Sequence, residues 1–159
     1  LVALQPGETV PQIDFLLVES AWAGNSGAWS HQLTGEHAPS ENLRDIIREC
    51  NARGVPTVFW NKEDPAHFED FHETAGMFDY IATTDSNMLS QYQRLHPDSK
   101  VFLLPFAAQP ALQNPARNTL PDDPGDIAFA GTYFRHKFQE RRQQMDLLLG
   151  AALQSGANM

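Results

Sequence analysis

Short apolar runs alternate with segments of helical period along most of this 159-residue chain, and that alternation restricts the fold more than any other feature. Ile13 to Val18, preceded by Pro11, reads as a buried strand. Ser40 is placed to cap a helix on which Leu43, Ile46, Ile47 and Cys50 form one apolar stripe, and Gly54 ends it. Pro56 to Trp60 is a second strand. Asp64 and Pro65 have the form of an N-cap and first-turn proline for a helix lined by Phe68, Phe71 and Ala75 and closed by Gly76. Tyr80 to Thr83 is a third strand. Asp85 or Ser86 caps the helix after it, with Met88, Leu89, Tyr92 and Leu95 on one face. Val101 to Leu104 and Asp126 to Ala130 are further strands, and a helix runs from about Lys137 to Leu153. This order predicts an α/β fold, a Rossmann-like parallel sheet with flanking helices on both faces and right-handed crossovers. In such sheets ligands bind at the carboxyl ends of the strands.

Composition narrows the classes. Apolar residues make up 42% of the chain, enough to drive a packed core, and the formal charge is -9. A net-acidic chain is a poor match for a phosphate backbone, so no nucleic-acid partner is expected. Its exception is the basic stretch from Arg135 to Arg142. Cys50 is the only cysteine, which excludes an intrachain disulfide and a thiolate zinc site. No apolar run approaches the roughly 20 residues of a membrane span. Leu1 to Val10 lacks a basic leader region, and a start at Leu suggests a piece of a longer protein. Pro105 to Gly125 reads as a linker or wrapping loop.

Polar groups collect where the strands end. Glu19 follows its strand directly, where partial withdrawal from water suits a catalytic base or a sugar-hydroxyl acceptor; a glutamate bound to neighbouring amides is the plain alternative. Asn61, Lys62, Glu63 and Asp64 place an amide, a cation and two carboxylates in one strand-to-helix turn. Asp64 is open to two readings, a cap or a catalytic acid. Glu63 and Asp64 with His67 offer a divalent-metal alternative, but no further ligand stands out. Trp22, Asn25 and Trp29 share a glycine-containing loop, where indoles stack on sugars or bases, or pack down on the sheet. Asp85 sits at the third strand's end. Gly131 and Thr132 present backbone N–H groups to a phosphate, with Arg141 nearby to balance a leaving diphosphate; a solvated basic face explains the arginine equally.

Leu17 to Trp22, Val58 to Pro65 and Phe78 to Asp85 resemble the corresponding blocks of the CgeB-like (spore maturation type) glycosyltransferases, as do Leu104 to Ala108, Asn114-Pro115, Ile127 to Tyr133 and Glu140 to Arg142. The likeness runs from about residue 13 to 153, and Trp60 to Pro65 is its most specific part. It implies a GT-B-type fold, two Rossmann-like domains across a cleft. Residues 1–124 would belong to the acceptor-side domain and 125–159 to the start of the donor-side domain, whose donor-binding acids would follow later. It further implies transfer of a sugar from a nucleotide-diphosphate donor to a saccharide, lipid or protein acceptor, in cell-envelope or spore chemistry in the cytoplasm. No cofactor and no metal are required, since side chains and helix dipoles balance the leaving group. Glu19, Glu63 and Asp64 are then the candidate catalytic groups. Trp22, Asn25, Asn61, Lys62, Asp85, Gly131, Thr132 and Arg141 are the candidate substrate contacts. A non-catalytic saccharide-binding module and a metal-dependent hydrolase are the alternatives, and self-association into a homo-oligomer stays open.

Overall fold

The computed structural model of the chain describes residues 3–112, 129, 131–133 and 136–156. These fall in two compact units, Leu1–Ala107 and Ala108–Met159. The first carries β1 (Leu16–Glu19), α1 (Glu41–Ala52), β2 (Thr57–Asn61), α2 (Phe68–Ala75), β3 (Tyr80–Thr83), a 3-10 turn (Ser86–Met88), α3 (Leu89–Leu95) and β4 (Lys100–Leu103). The second carries α4 (Gln139–Gln154). The strand expected at 126–130 lies, apart from Phe129, outside the described residues, as does the expected boundary near 124.

The four strands are all parallel and stand in the order β1-β2-β3-β4. This is the expected α/β, Rossmann-like arrangement, with one correction. Every crossover steps the same way, and right-handed crossovers in one direction place every helix on the same face. Burial agrees. Leu16, Thr57, Phe59, Asn61, Ile81 and Thr83 are buried on the helix side. Their strand neighbours point the other way, and there Leu17 is 42% and Phe102 39% exposed. Within the first unit α1, α2 and α3 therefore cover one face, not two.

On the covered side, Leu43, Ile46, Ile47 and Cys50 of α1 are buried as their spacing predicts. Ser40 caps that helix, its hydroxyl accepting from the Leu43 N–H at 3.3 Å. Gly54 follows the end of α1 at φ +67°, a left-handed conformation that a β-carbon disfavours. Phe59 sits at the centre of the core, its ring 5.3 Å from that of Phe78 and 6.5 Å from that of Phe71. The long segment after β1 folds down as well: Trp29 and Leu33 join the core, and Thr74 of α2 donates to the Leu33 carbonyl at 2.7 Å. Two further ties hold the amino-terminal stretch. Trp29 Nε1 donates to the Leu4 carbonyl, and Arg53 donates to the carbonyls of Val10 and Pro11.

Candidate functional site at the carboxyl edge of the sheet

Parallel strands in register deliver their last residues to one rim. Glu19 pairs with Trp60 across β1 and β2, and Asn61 with Thr83 across β2 and β3. The side chains that leave this rim divide into a buried cluster and an exposed one.

The buried cluster is centred on Asp64. Its Oδ1 accepts from Asn61 Nδ2 at 2.8 Å and from the Tyr92 hydroxyl at 3.3 Å. Its Oδ2 accepts from the Thr83 hydroxyl at 2.6 Å. Asn61 Nδ2 also donates to the Tyr92 oxygen at 2.8 Å, and the Asp85 N–H donates to Thr83 Oγ1 at 3.2 Å. Asn61 and Thr83 end up here because they continue, two residues on, the inward face of Phe59 and Ile81. A polar side chain in that phase must find partners, and these find each other. Burial pushes the Asp64 carboxyl above the usual carboxylate range, while the bonds from Thr83 and Tyr92 pull it back; the nearby Asp85 charge adds to the rise. Burial also pushes up the Tyr92 phenol.

Asp64 does not cap α2. The residue at that position is His67, which makes no side-chain capping bond. The Asp64 carboxylate is drawn instead to three stronger calls from neighbouring strands and α3, and so joins β2, β3 and α3 together.

The exposed cluster lies outward of this one. Lys62 Nζ donates to Glu19 Oε2 at 2.6 Å. The Lys62 backbone N–H donates to Ser20 Oγ at 2.8 Å, fixing where the lysine starts. Glu19 is 46% exposed and ion-paired, so its carboxylate is only half withdrawn from water and its charge is met by Lys62. Lys62 Nζ also stands 5.8 Å from the centroid of Trp60. The Trp60 indole lies on the uncovered side of the sheet, above Ala82, and reaches the Leu104 carbonyl with its N–H at 2.9 Å. Phe106 flanks it at 5.9 Å. Glu63 uses its backbone N–H to reach Asn61 Oδ1 at 3.1 Å, and its carboxylate has no partner among the described residues.

The other expected contacts are placed as follows. Trp22 is 42% exposed and meets the rings of His67 and Phe71 edge-on at 5.0 and 5.2 Å. Asn25 turns away from the rim and donates to the Leu4 carbonyl. Asp85 caps the 3-10 turn through the Asn87 N–H at 2.8 Å. His67 Nδ1 is engaged with Asp70 Oδ2 at 2.8 Å, and among the described residues no group of three or more His, Cys, Asp or Glu converges to hold a metal ion. Gly131, Thr132 and Arg141 belong to the second unit, where all three are exposed. Thr83 and Tyr92, the partners that hold Asp64, are the residues the motif reading passed over. The inward phase of Thr83 was the available signal. No helix among the described residues is long and apolar enough to cross a membrane.

No protein-family model matches this chain, and neither a curated protein nor a solved structure does.

Proposed function

We propose that this chain is part of a GT-B-type glycosyltransferase that moves a sugar from a nucleotide-diphosphate donor to a saccharide, lipid or protein acceptor. The observation that supports the reading is the carboxyl rim of the parallel sheet, where Lys62 pairs with Glu19 and the next residue, Glu63, carries a carboxylate with no partner among the described residues. Ligands of open α/β sheets bind at such a rim. Glu19, oriented by Lys62, accepts a hydrogen bond from an acceptor hydroxyl, and Glu63 is the free base that takes its proton as the glycosidic bond forms. Asp64 acts by positioning, since its oxygens are occupied by Asn61, Tyr92 and Thr83. Gly131, Thr132 and Arg141 serve the donor diphosphate, and the reaction belongs to the cytoplasm, where nucleotide sugars are made. The resemblance of its sequence blocks to those of CgeB-like enzymes supports the same reading.

The test is a panel of UDP-, GDP- and dTDP-sugars offered to the chain, read by released nucleotide and by protection from thermal unfolding. Glu63→Gln should remove turnover and keep protection. No turnover and no protection with any donor would overturn the proposal. Protection without turnover in the parent chain would favour a non-catalytic binding module, the reading that the fully engaged Asp64 carboxylate also suits.

A further inference from the structure

Away from the rim, two histidines join the ends of α2 and α3. His72 lies on α2, and His96 is the residue at which α3 ends. Their ring centroids are 5.9 Å apart at 35°. The His72 ring stacks on Phe68 at 5.0 Å, and the His96 ring lies 6.4 Å from that of Tyr92. The fit is close. A β-carbon at Gly76 would stand 2.3 Å from His96 Nδ1, so the glycine is what lets the imidazole settle there.

Two ring nitrogens in this pair, His72 Nδ1 and His96 Nε2, are buried and have no hydrogen-bond partner. No other buried side-chain nitrogen or oxygen among the described residues is left so. As neutral imidazoles the pair tolerates this at modest cost. A protonated His96 would bury its Nε2–H with no acceptor, against a His72 ring 5.9 Å away that offers none. The surrounding ionisable groups do not relieve that. From α2, Glu69 approaches the other side of His72, 3.6 Å from Nε2, and its side chain is largely in water. From α3, Tyr92 turns its hydroxyl to Asn61 and Asp64. No carboxylate among the described residues meets the two orphaned nitrogens.

We propose that His72 and His96 form an acid-sensitive latch between α2 and α3, and that its protonation loosens Tyr92 from the Asn61–Asp64 cluster behind the rim. Tyr92 is the connecting piece: its ring packs against Phe68 at 4.8 Å and against His96, and its oxygen is shared with the rim cluster. Burial, then the neighbouring His72, hold His96 below the ordinary imidazole range, against the opposite pull of its hydrogen bond to the His72 backbone. The native state therefore binds fewer protons than the unfolded chain over that window. Stability is fully present above the ordinary histidine value of 6.5 and is lost as the pH falls through it.

Urea unfolding of the full chain between about pH 7.5 and pH 5.5, read by tryptophan fluorescence, tests this. As His96 takes up its proton on unfolding, the unfolded-to-folded ratio should rise by up to about tenfold per pH unit as the pH falls below the ordinary histidine value. The double substitution His72→Gln with His96→Gln should flatten that part of the slope, and an unchanged slope would overturn the latch. If the double variant does not fold, a proton NMR titration of the unaltered chain decides. His96 titrating below the ordinary imidazole range together with shifts of the Tyr92 ring supports the latch. His96 titrating at or above that range, or Tyr92 signals that ignore it, overturns it.

Discussion

Replacing Thr83 by valine isolates the bond that most firmly holds Asp64. The two side chains have nearly the same shape, so the change removes a hydroxyl with little change in packing. Lost with it are the 2.6 Å bond to Asp64 Oδ2 and the acceptor of the Asp85 N–H. A hydrogen bond to an ionised group is worth about 1.5–3 kcal/mol, and the carboxylate left behind keeps its desolvation cost. The expected loss is about 2.5 kcal/mol at neutral pH. With a urea slope of roughly 1.3 kcal/mol/M for a unit of this size, the midpoint should fall by about 2 M. Fluorescence is a clean probe here, because Trp22, Trp29 and Trp60 all lie in the first unit. The effect also has a sign in pH. The native carboxyl of Asp64 lies above its unfolded value, so its contribution to stability is most favourable in acid and declines as the pH rises through the native value. Removing Thr83 takes away a bond that lowers that value. The penalty should therefore be largest near neutrality and smaller in acid, where a protonated carboxyl has less to lose. A midpoint within about 0.4 M of the parent, or one penalty at neutral and acid pH, would refute the account of Asp64 as a half-buried hub.

Glu19→Gln and Lys62→Met, at the half-exposed ion pair, should each change stability by less than about 1 kcal/mol and yet remove the response to nucleotide sugars; a large loss of stability would show the pair to be structural. Phe71→Ala, at a fully buried ring between Phe59 and Trp22, should cost about 3–5 kcal/mol in the same urea assay. Arg53→Ala should free residues 3–11, which mass mapping of limited proteolysis would detect as new early cuts before Pro11. Gly54→Ala should cost about 1 kcal/mol through the left-handed φ of +67°, a smaller loss than the cavity at Phe71.

Local signals carried far in this chain, and long-range ones did not. The third strand falls on Tyr80–Thr83 as its apolar run predicts, and the Leu43, Ile46, Ile47, Cys50 stripe faces the core as its period requires. Ser40 caps α1 because a hydroxyl just before a helix has an N–H to accept from and nothing better nearby. The same reasoning fails at Asp64, where Asn61, Thr83 and Tyr92 come from the β2 end, β3 and α3 and outbid the helix. Leu95 fits the apolar face of α3 on paper but is 45% exposed, because α3 stops there and turns through His96. Apolar runs announce strands, whereas strand order decides on which face the helices lie, so the coverage of the sheet is not legible in the sequence. The Glu19–Lys62 pair joins residues that only the β1–β2 register brings together, so neither residue's surroundings in sequence announce it.

The order β1-β2-β3-β4 also bears on how the first unit comes into being. Each strand's partner is the one synthesised just before it, so every loop closed during assembly is a single crossover. A closure over one crossover costs less entropy than one over several, and pairing between successive strands keeps the contacts of a parallel sheet as local as that sheet allows. A ribosome releasing this chain would hand over each new strand to an edge already waiting for it, and growth could proceed by accretion, with no need to insert a late strand between two earlier ones.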